Sequence, residues 1–296
     1  RRFNIMRILE NDQLRVTISD HGAELSGIFD KKNNREVLWN ADPAYWKRHA
    51  PVLFPNVGRL YNDTSLINGK TYTSGQHGFA RDMEFVCTEE TKTSVTHLLE
   101  ANDTTKKAWP YDFQLYITHT LNDRDLTVSW KVVNKDQDTM YFTIGAHPAF
   151  NVPVLPNTTQ DQYHLTFSGQ KELTYCLLDA TLGTALPDQP HTLSLENGTC
   201  LIDAHMFDEG ALIFDNSQIT KAGITLPDGT PYVEISCEGF PNFGIWSAIG
   251  APFVCLEPWM GRCDNTGYEG ELSQKPNINT LKPAEVFDKS YMISIK

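Results

Sequence analysis

The chain reads as an all-β protein, a large antiparallel two-sheet β-sandwich, on three observations. Short runs of alternating apolar and polar residues recur along the whole sequence, each bounded by Gly, Pro, Asn or Asp, the pattern of strands joined by tight turns. No stretch longer than about ten residues carries the i, i+3, i+4 apolar stripe of an amphipathic helix. The strands are also too many for one small barrel and suit two packed sheets. At 296 residues, 40% hydrophobic and 11% aromatic, the chain can build a substantial core. We expect one domain over residues 1–296, because β-sandwiches often run past about 200 residues undivided.

In chain order, residues 14–29 (LRVTISDHGAELSGIF) alternate around Asp20-His21-Gly22 and form the first hairpin. Residues 42–46 suggest a single helical turn, with Trp39, Tyr45 and Trp46 beside it as packing residues. Asn68-Gly69 lies between apolar runs and is the dipeptide most diagnostic of a two-residue hairpin. Residues 84–87 and 93–100 repeat the theme. Residues 113–133 form a long pair folded at Asn122-Asp123-Arg124-Asp125, the strongest hairpin signal in the chain. Residues 141–146 are another apolar run, and residues 151–162, with Pro153 and Pro156, are a loop. Further strands are expected at 163–167, 199–202 and 211–214. Residues 224–226 and 232–236 flank Pro227-Asp228-Gly229-Thr230, a tight turn, and strands at 243–249, 253–257 and 291–295 complete the set. No repeat, low-complexity tract or linker is visible.

Charge and cysteine content narrow the function. A formal net charge of −12 argues against nucleic acid or an anionic membrane as partner, since both require basic surfaces. No apolar run approaches the roughly 18 residues of a membrane span. The six cysteines, Cys87, Cys176, Cys200, Cys237, Cys255 and Cys263, show no CxxC spacing, and no secretory leader is visible. Free thiols in a reducing cytoplasm are therefore expected, with no metal site. The opening Arg1-Arg2-Phe3-Asn4-Ile5 lacks an initiator Met and reads as partly a processing remnant.

Four stretches carry residues suited to chemistry. Residues 251–264 read APFVCLEPWMGRCD, a lone carboxylate in an apolar strand. If residues 253–257 are extended, Phe253, Cys255 and Glu257 share one face and Val254 and Leu256 the other, and Pro258 ends the strand. A carboxyl among apolar neighbours has a raised pKa and suits general-base work. The plainer alternative is a Glu257–Arg262 pair in a loop. GAHPAFN, residues 145–151, places Thr143, Gly145 and His147 on one face, with Pro148 after His147 as Pro258 follows Glu257. His147 and Glu257 so placed can form an acid–base pair; the plainer alternative is a core histidine bonded to backbone. FPNVGRL, residues 54–60, sets Arg59 after a permissive Gly58, and QHGFARD, residues 76–82, brings His77, Arg81 and Asp82 onto one loop. Surface arginines and solvated loop histidines are common, so neither stretch is specific alone. No GxSxG, HExxH or phosphate-cradling loop is present.

Taken together and in this order, FPNVGRL, QHGFAR, IGAHPAFN and CLEPWMGR resemble the aldose 1-epimerase (galactose mutarotase-like) family, in particular its bacterial branch associated with lactose and galactose operons. The resemblance spans nearly the whole chain. It implies a β-sandwich of the galactose mutarotase type, a sugar groove on one sheet and no cofactor. Carried over residue by residue, it implies Glu257 as general base, His147 as general acid, and Arg59 and His77 as substrate-orienting groups. The binding aspartate falls within IDAHMFDE, residues 202–209, where Asp208 is our choice and Asp203 stays open. The implied activity is interconversion of the anomers of a free aldohexose such as galactose or glucose. Arg81 resembles an arginine that sugar-phosphate relatives place on the phosphate, which keeps a hexose-6-phosphate 1-epimerase as an alternative. A non-catalytic carbohydrate-binding protein is the second alternative. The expected partner is a small sugar, and the expected assembly a monomer or homodimer in the cytoplasm.

Overall fold

A computed structural model describes residues 4–296; residues 1–3, part of the segment read as a processing remnant, lie outside the described residues. Its largest sheet has nine antiparallel strands, in the order Thr199–Leu201, His164–Phe167, Lys221–Thr225, Pro231–Ser236, Val286–Ile295, Asp125–Asn134, Phe113–Asn122, Ser94–Glu100 and Val86–Glu90. The long hairpin at its centre pairs residue for residue from Asp125↔Asn122 to Asn134↔Phe113. Its alternation is regular: Leu115, Ile117, Leu126, Val128, Trp130 and Val132 are buried on one face, as a sheet with one covered side requires. The chain's C-terminal strand, Val286–Ile295, pairs with Asp125–Asn134 on one side and Pro231–Ser236 on the other.

Facing this sheet is a second one, in which Ile144–Gly145 and Ala149–Asn151 both pair with Phe253–Met260, followed by Asn242–Trp246 and Leu212–Phe214. Val254, Leu256, Phe243, Ile245, Leu212 and Phe214 from this sheet belong to the same apolar core as the nine-stranded sheet's inner residues. A four-stranded sheet, Met6–Glu10, Leu14–Ser19, Leu25–Asp30 and Arg35–Glu36, adds Val16, Ile18 and Ile28 to that core. Asp123-Arg124 at the tip of the long hairpin is clamped to it. Arg124 donates to both oxygens of the buried Asp30, at 3.1 and 2.8 Å, and to the Ile295 carbonyl.

Asn68 and Gly69 both take positive φ between Thr64–Ile67 and Lys70–Thr73, the geometry a two-residue hairpin demands. Residues 42–46 form a hydrogen-bonded turn and no regular helix, with Tyr45 and Trp46 N–H both donating to the Asp42 carbonyl. The only α-helix among the described residues is Asp103–Ala108, which sequence periodicity passes over because it is under two turns long. A capping box between Asn102 and Thr105 starts it. Pro258 does not end its strand. The strand runs on to Met260, with Pro258 opposite Phe243, because the partner strand on its other side is interrupted there. No helix among the described residues is long and apolar enough to cross a membrane.

Candidate active site

The inner face of the second sheet is spent on the core, so its other face is free to carry polar chemistry. Along Phe253–Met260 the alternation puts Val254 and Leu256 inward and Cys255, Glu257 and Trp259 outward. Opposite Glu257 the partner strand breaks between Gly145 and Ala149. Two bonds hold the broken ends: Ala146 N–H donates to the Pro258 carbonyl and Leu256 N–H to the Pro148 carbonyl. Pro148 and Pro258 have no N–H to offer, so a gap in the ladder at this point leaves neither strand with an orphaned proline donor. His147 emerges in the gap, and its Nε2 lies 3.1 Å from Glu257 Oε1.

The pair lines a cavity of about 360 Å³ together with Trp46, Gly58, Arg59, Gln76, His77, Arg81, Gly210, Ala211, Trp246 and Trp259, among others. Glu257 is the only carboxylate in its wall among the described residues. Burial pushes the Glu257 carboxyl well above the usual carboxylate range; the neighbouring Trp259 indole pulls the other way without closing a well-formed hydrogen bond. Burial lowers the His147 imidazole to about 3, and the charges of Arg81 and Arg48 push in the same direction. Burial thus favours the uncharged form of both partners, raising the carboxyl and lowering the imidazole.

His77 has its tautomer fixed by backbone. Gly58 N–H donates to His77 Nδ1 at 2.8 Å, so a neutral His77 carries its proton on Nε2. Burial depresses its pKa far below the ordinary value, which keeps it neutral. This contact needs Gly58: its φ is +66°, and a Cβ there would meet Cys263 Cβ at 2.6 Å. His77 itself sits at φ 63°, a region that side chains larger than glycine seldom adopt. The His77 and His147 rings meet edge-on at 5.5 Å.

Two expectations from sequence differ from this geometry, and a third residue does more than expected. Glu257 does not pair with Arg262, whose guanidinium instead grips both oxygens of Asp215. Neither Asp208 nor Asp203 lines the cavity: Asp208 Oδ2 contacts His205 Nδ1 at 2.9 Å on an exposed turn, and Asp203 accepts the His205 N–H. Gly210 and Ala211, just beyond, reach the wall in their place. Trp46, read as packing, stacks on His147 with centroids 4.8 Å apart and an interplanar angle of 31°, and Trp246 meets His147 edge-on at 5.7 Å. Trp246 was recoverable from alternation, since it and Gly244 pair with Cys255 and Glu257 in register. Arg59, His77 and Arg81 all reach the cavity with His147 and Glu257. Arg81 donates to the Gln76 carbonyl at 3.0 Å, while its buried Nε makes no hydrogen bond and stands 4.0 Å from Asp82 Oδ2. Behind it, Arg48 pairs with Asp82.

The architecture is that of a galactose mutarotase-like β-sandwich. A galactose mutarotase related enzyme from Lactobacillus acidophilus superposes with a TM-score of 0.93 at 32% identity, covering 99% of this chain and 97% of that one. A galactose mutarotase-like protein from Lactobacillus casei ATCC 334 superposes with a TM-score of 0.89 at 30% identity, covering 99% and 100%. Protein LacX of Lactococcus lactis subsp. lactis is 33% identical over 297 residues, 97% of this chain and 98% of that protein. Residues 7–184 match the Aldose 1-epimerase family, and the chain belongs to it.

Proposed function

We propose that the protein is an aldose 1-epimerase that interconverts the α and β anomers of a free aldohexose such as galactose or glucose. The observation that carries this reading is the buried His147–Glu257 pair, 3.1 Å apart in the cavity wall. Opening a cyclic hemiacetal requires one proton taken from the anomeric hydroxyl and one given to the ring oxygen. Two groups that share a single proton supply both transfers. Sugar hydroxyls that donate to Glu257 replace the water its burial removed, favour its ionised form and move the shared proton onto His147. Glu257 then takes the O1 proton as base while His147 protonates O5 as acid, and the C1–O5 bond opens to the aldehyde. Rotation about C1–C2 and reclosure, with both transfers reversed, gives the other anomer. Arg59, His77 through Nε2–H, and Arg81 hold the ring and its developing oxygen charge. Both proton carriers are side chains, so no step calls for a cofactor.

The test is anomer exchange on freshly dissolved galactose and glucose, followed by polarimetry or NMR. Glu257→Gln keeps the shape and removes the base, so exchange should fall by at least about 10²-fold with sugar binding retained. Near wild-type turnover in that variant would remove Glu257 from the role.

A second reading, hexose-6-phosphate 1-epimerase, is favoured by one observation: Arg59 and Arg81 line the cavity, and the buried Nε of Arg81 makes no hydrogen bond. A guanidinium fork binds phosphate through paired charge-assisted bonds. In the same assay, a wild-type preference for a hexose 6-phosphate, lost selectively in Arg81→Ala, would establish this reading over the first.

A further inference from the structure

Beneath the acid–base pair lies a third side chain that proton transfer does not use. Cys255, two residues before Glu257 on the same face of its strand, is fully buried, and its Sγ lies with one nitrogen of His147 and one oxygen of Glu257 inside a set of ligand atoms all within 4.8 Å of one another. We propose that His147, Glu257 and Cys255 form a binding site for a borderline divalent cation of the Zn²⁺ class, and that the ion inhibits anomer exchange by occupying the acid–base pair. The binding stands on geometry alone; the inhibition rests on the reading of His147 and Glu257 given above.

The chemistry of the donors selects the ion. Thiolate sulfur, imidazole nitrogen and one carboxylate oxygen are a mixed set that suits zinc, whereas Mg²⁺ and Ca²⁺ demand shells of oxygen. Zinc bonds of roughly 2.0–2.3 Å place tetrahedral ligands about 3.3–3.8 Å apart. His147 and Glu257 already stand at 3.1 Å, so only the thiol has an appreciable distance to close. Charge is balanced as well. Binding releases to solvent the protons that burial favours on Cys255 and Glu257; the resulting thiolate and carboxylate then cancel the two charges of the ion, so that no net charge is added to a buried site that Arg48 and Arg81 already make positive. The ion reaches the site through the sugar cavity, since His147 and Glu257 line it and Cys255 lies behind them. Three protein ligands leave a fourth position facing the cavity for water or a sugar hydroxyl, the open arrangement of an exchangeable site.

The experiment uses the whole 296-residue chain in a Cys87→Ser/Cys200→Ser background, which removes the two partly exposed thiols, with and without Cys255→Ala. Cd²⁺ is added as a spectroscopic stand-in for Zn²⁺, and the ultraviolet thiolate-to-metal band is followed, alongside Zn²⁺ affinity by competition with a chelator. We expect the band to saturate at one equivalent and to vanish in Cys255→Ala. Zn²⁺ affinity should fall there by more than about tenfold, since even outer-shell partners are worth 10–100-fold. Added galactose should weaken Zn²⁺ binding, and Mg²⁺ should leave the spectrum unchanged. A band or a Zn²⁺ affinity unaltered in Cys255→Ala overturns the site. Zinc inhibition of equal potency in both proteins overturns its role in inhibition. Should the protein prove to have no epimerase activity, the cadmium band and chelator competition decide the binding site by themselves.

Discussion

At the scale of single residues, the site is a matter of where one proton rests. Burial shifts the Glu257 carboxyl up and the His147 imidazole down to about 3, each away from the charged form that the proposed reaction uses, so on that proposal the substrate's own hydroxyls complete the catalyst. His147→Asn preserves a polar side chain of similar reach but carries no proton for O5. It should lower kcat by about 10²-fold or more while changing KM little, and steady-state kinetics on galactose check this; a raised KM at constant kcat would make His147 a binding residue. That these two side chains come together was legible in sequence, because each interrupts an apolar run with a chemically active group just before a proline. The position of Asp208 was not, because its stretch offers two aspartates and no alternation to say which faces inward, and both turn to solvent around His205. Trp46 packs as expected, against Phe253 and Trp246, but an aromatic in a turn packs and lines a cavity with the same side chain, and only the position of His147 beside it shows that it does both.

At the scale of elements, the strands with regular alternation and Asn-Gly or Asp-Gly turns were readable, and the short ones without either were not. Glu172–Tyr175, His191–Ser194 and Asn279–Leu281 are held by pairing with distant partners rather than by local pattern. Pro258 shows how tertiary context overrides a local rule, since its strand continues through it where the partner strand is already broken. The hairpin tip at Asp123-Arg124 is equally dependent on partners far along the chain. Asp30 is fully buried, and although burial alone raises its pKa, hydrogen bonds from Arg124 and Asn33 bring it below the ordinary value. Replacing Arg124 with Met therefore leaves a buried carboxylate without its cation. We expect a loss of about 3 kcal/mol in urea unfolding, and a double change with Asp30→Asn that costs much less than the sum of the singles. A loss under about 1 kcal/mol for Arg124→Met would show that the clamp is not structural.

At the scale of the whole molecule, the sandwich stores ionisable groups inside its largest sheet. His97 and His119 lie on the inner face of neighbouring strands; His97 Nε2 contacts Asp20 at 2.8 Å, and Asp20 also takes two bonds from Arg7. Burial lowers the pKa of both histidines, that of His119 to about 3, with His97 adding to the effect. A histidine whose folded pKa lies below its unfolded value of about 6.5 stabilises the fold fully above pH 6.5, and that contribution is lost as the pH falls toward 3. Stability should thus decline from pH 6.5 to 4, before the lowered carboxyl groups of Asp20 and Asp30 begin to titrate. His119→Gln should flatten the decline by up to about 3 kcal/mol at pH 4, as read from urea midpoints across the pH series. Equal slopes in the two proteins would mean that His119 protonates without unfolding. The place of the strand Val286–Ile295 has a consequence for biosynthesis. It comes last along this sequence yet sits between Pro231–Ser236 and Asp125–Asn134, so a nascent chain that has already emitted both neighbours must wait with two bare strand edges. Those edges are templates for pairing with any extended peptide nearby. Interrupted translation or a premature stop before residue 286 would leave a chain with most of its hydrophobic strands and no way to join its two half-sheets, a natural client for chaperones and proteases.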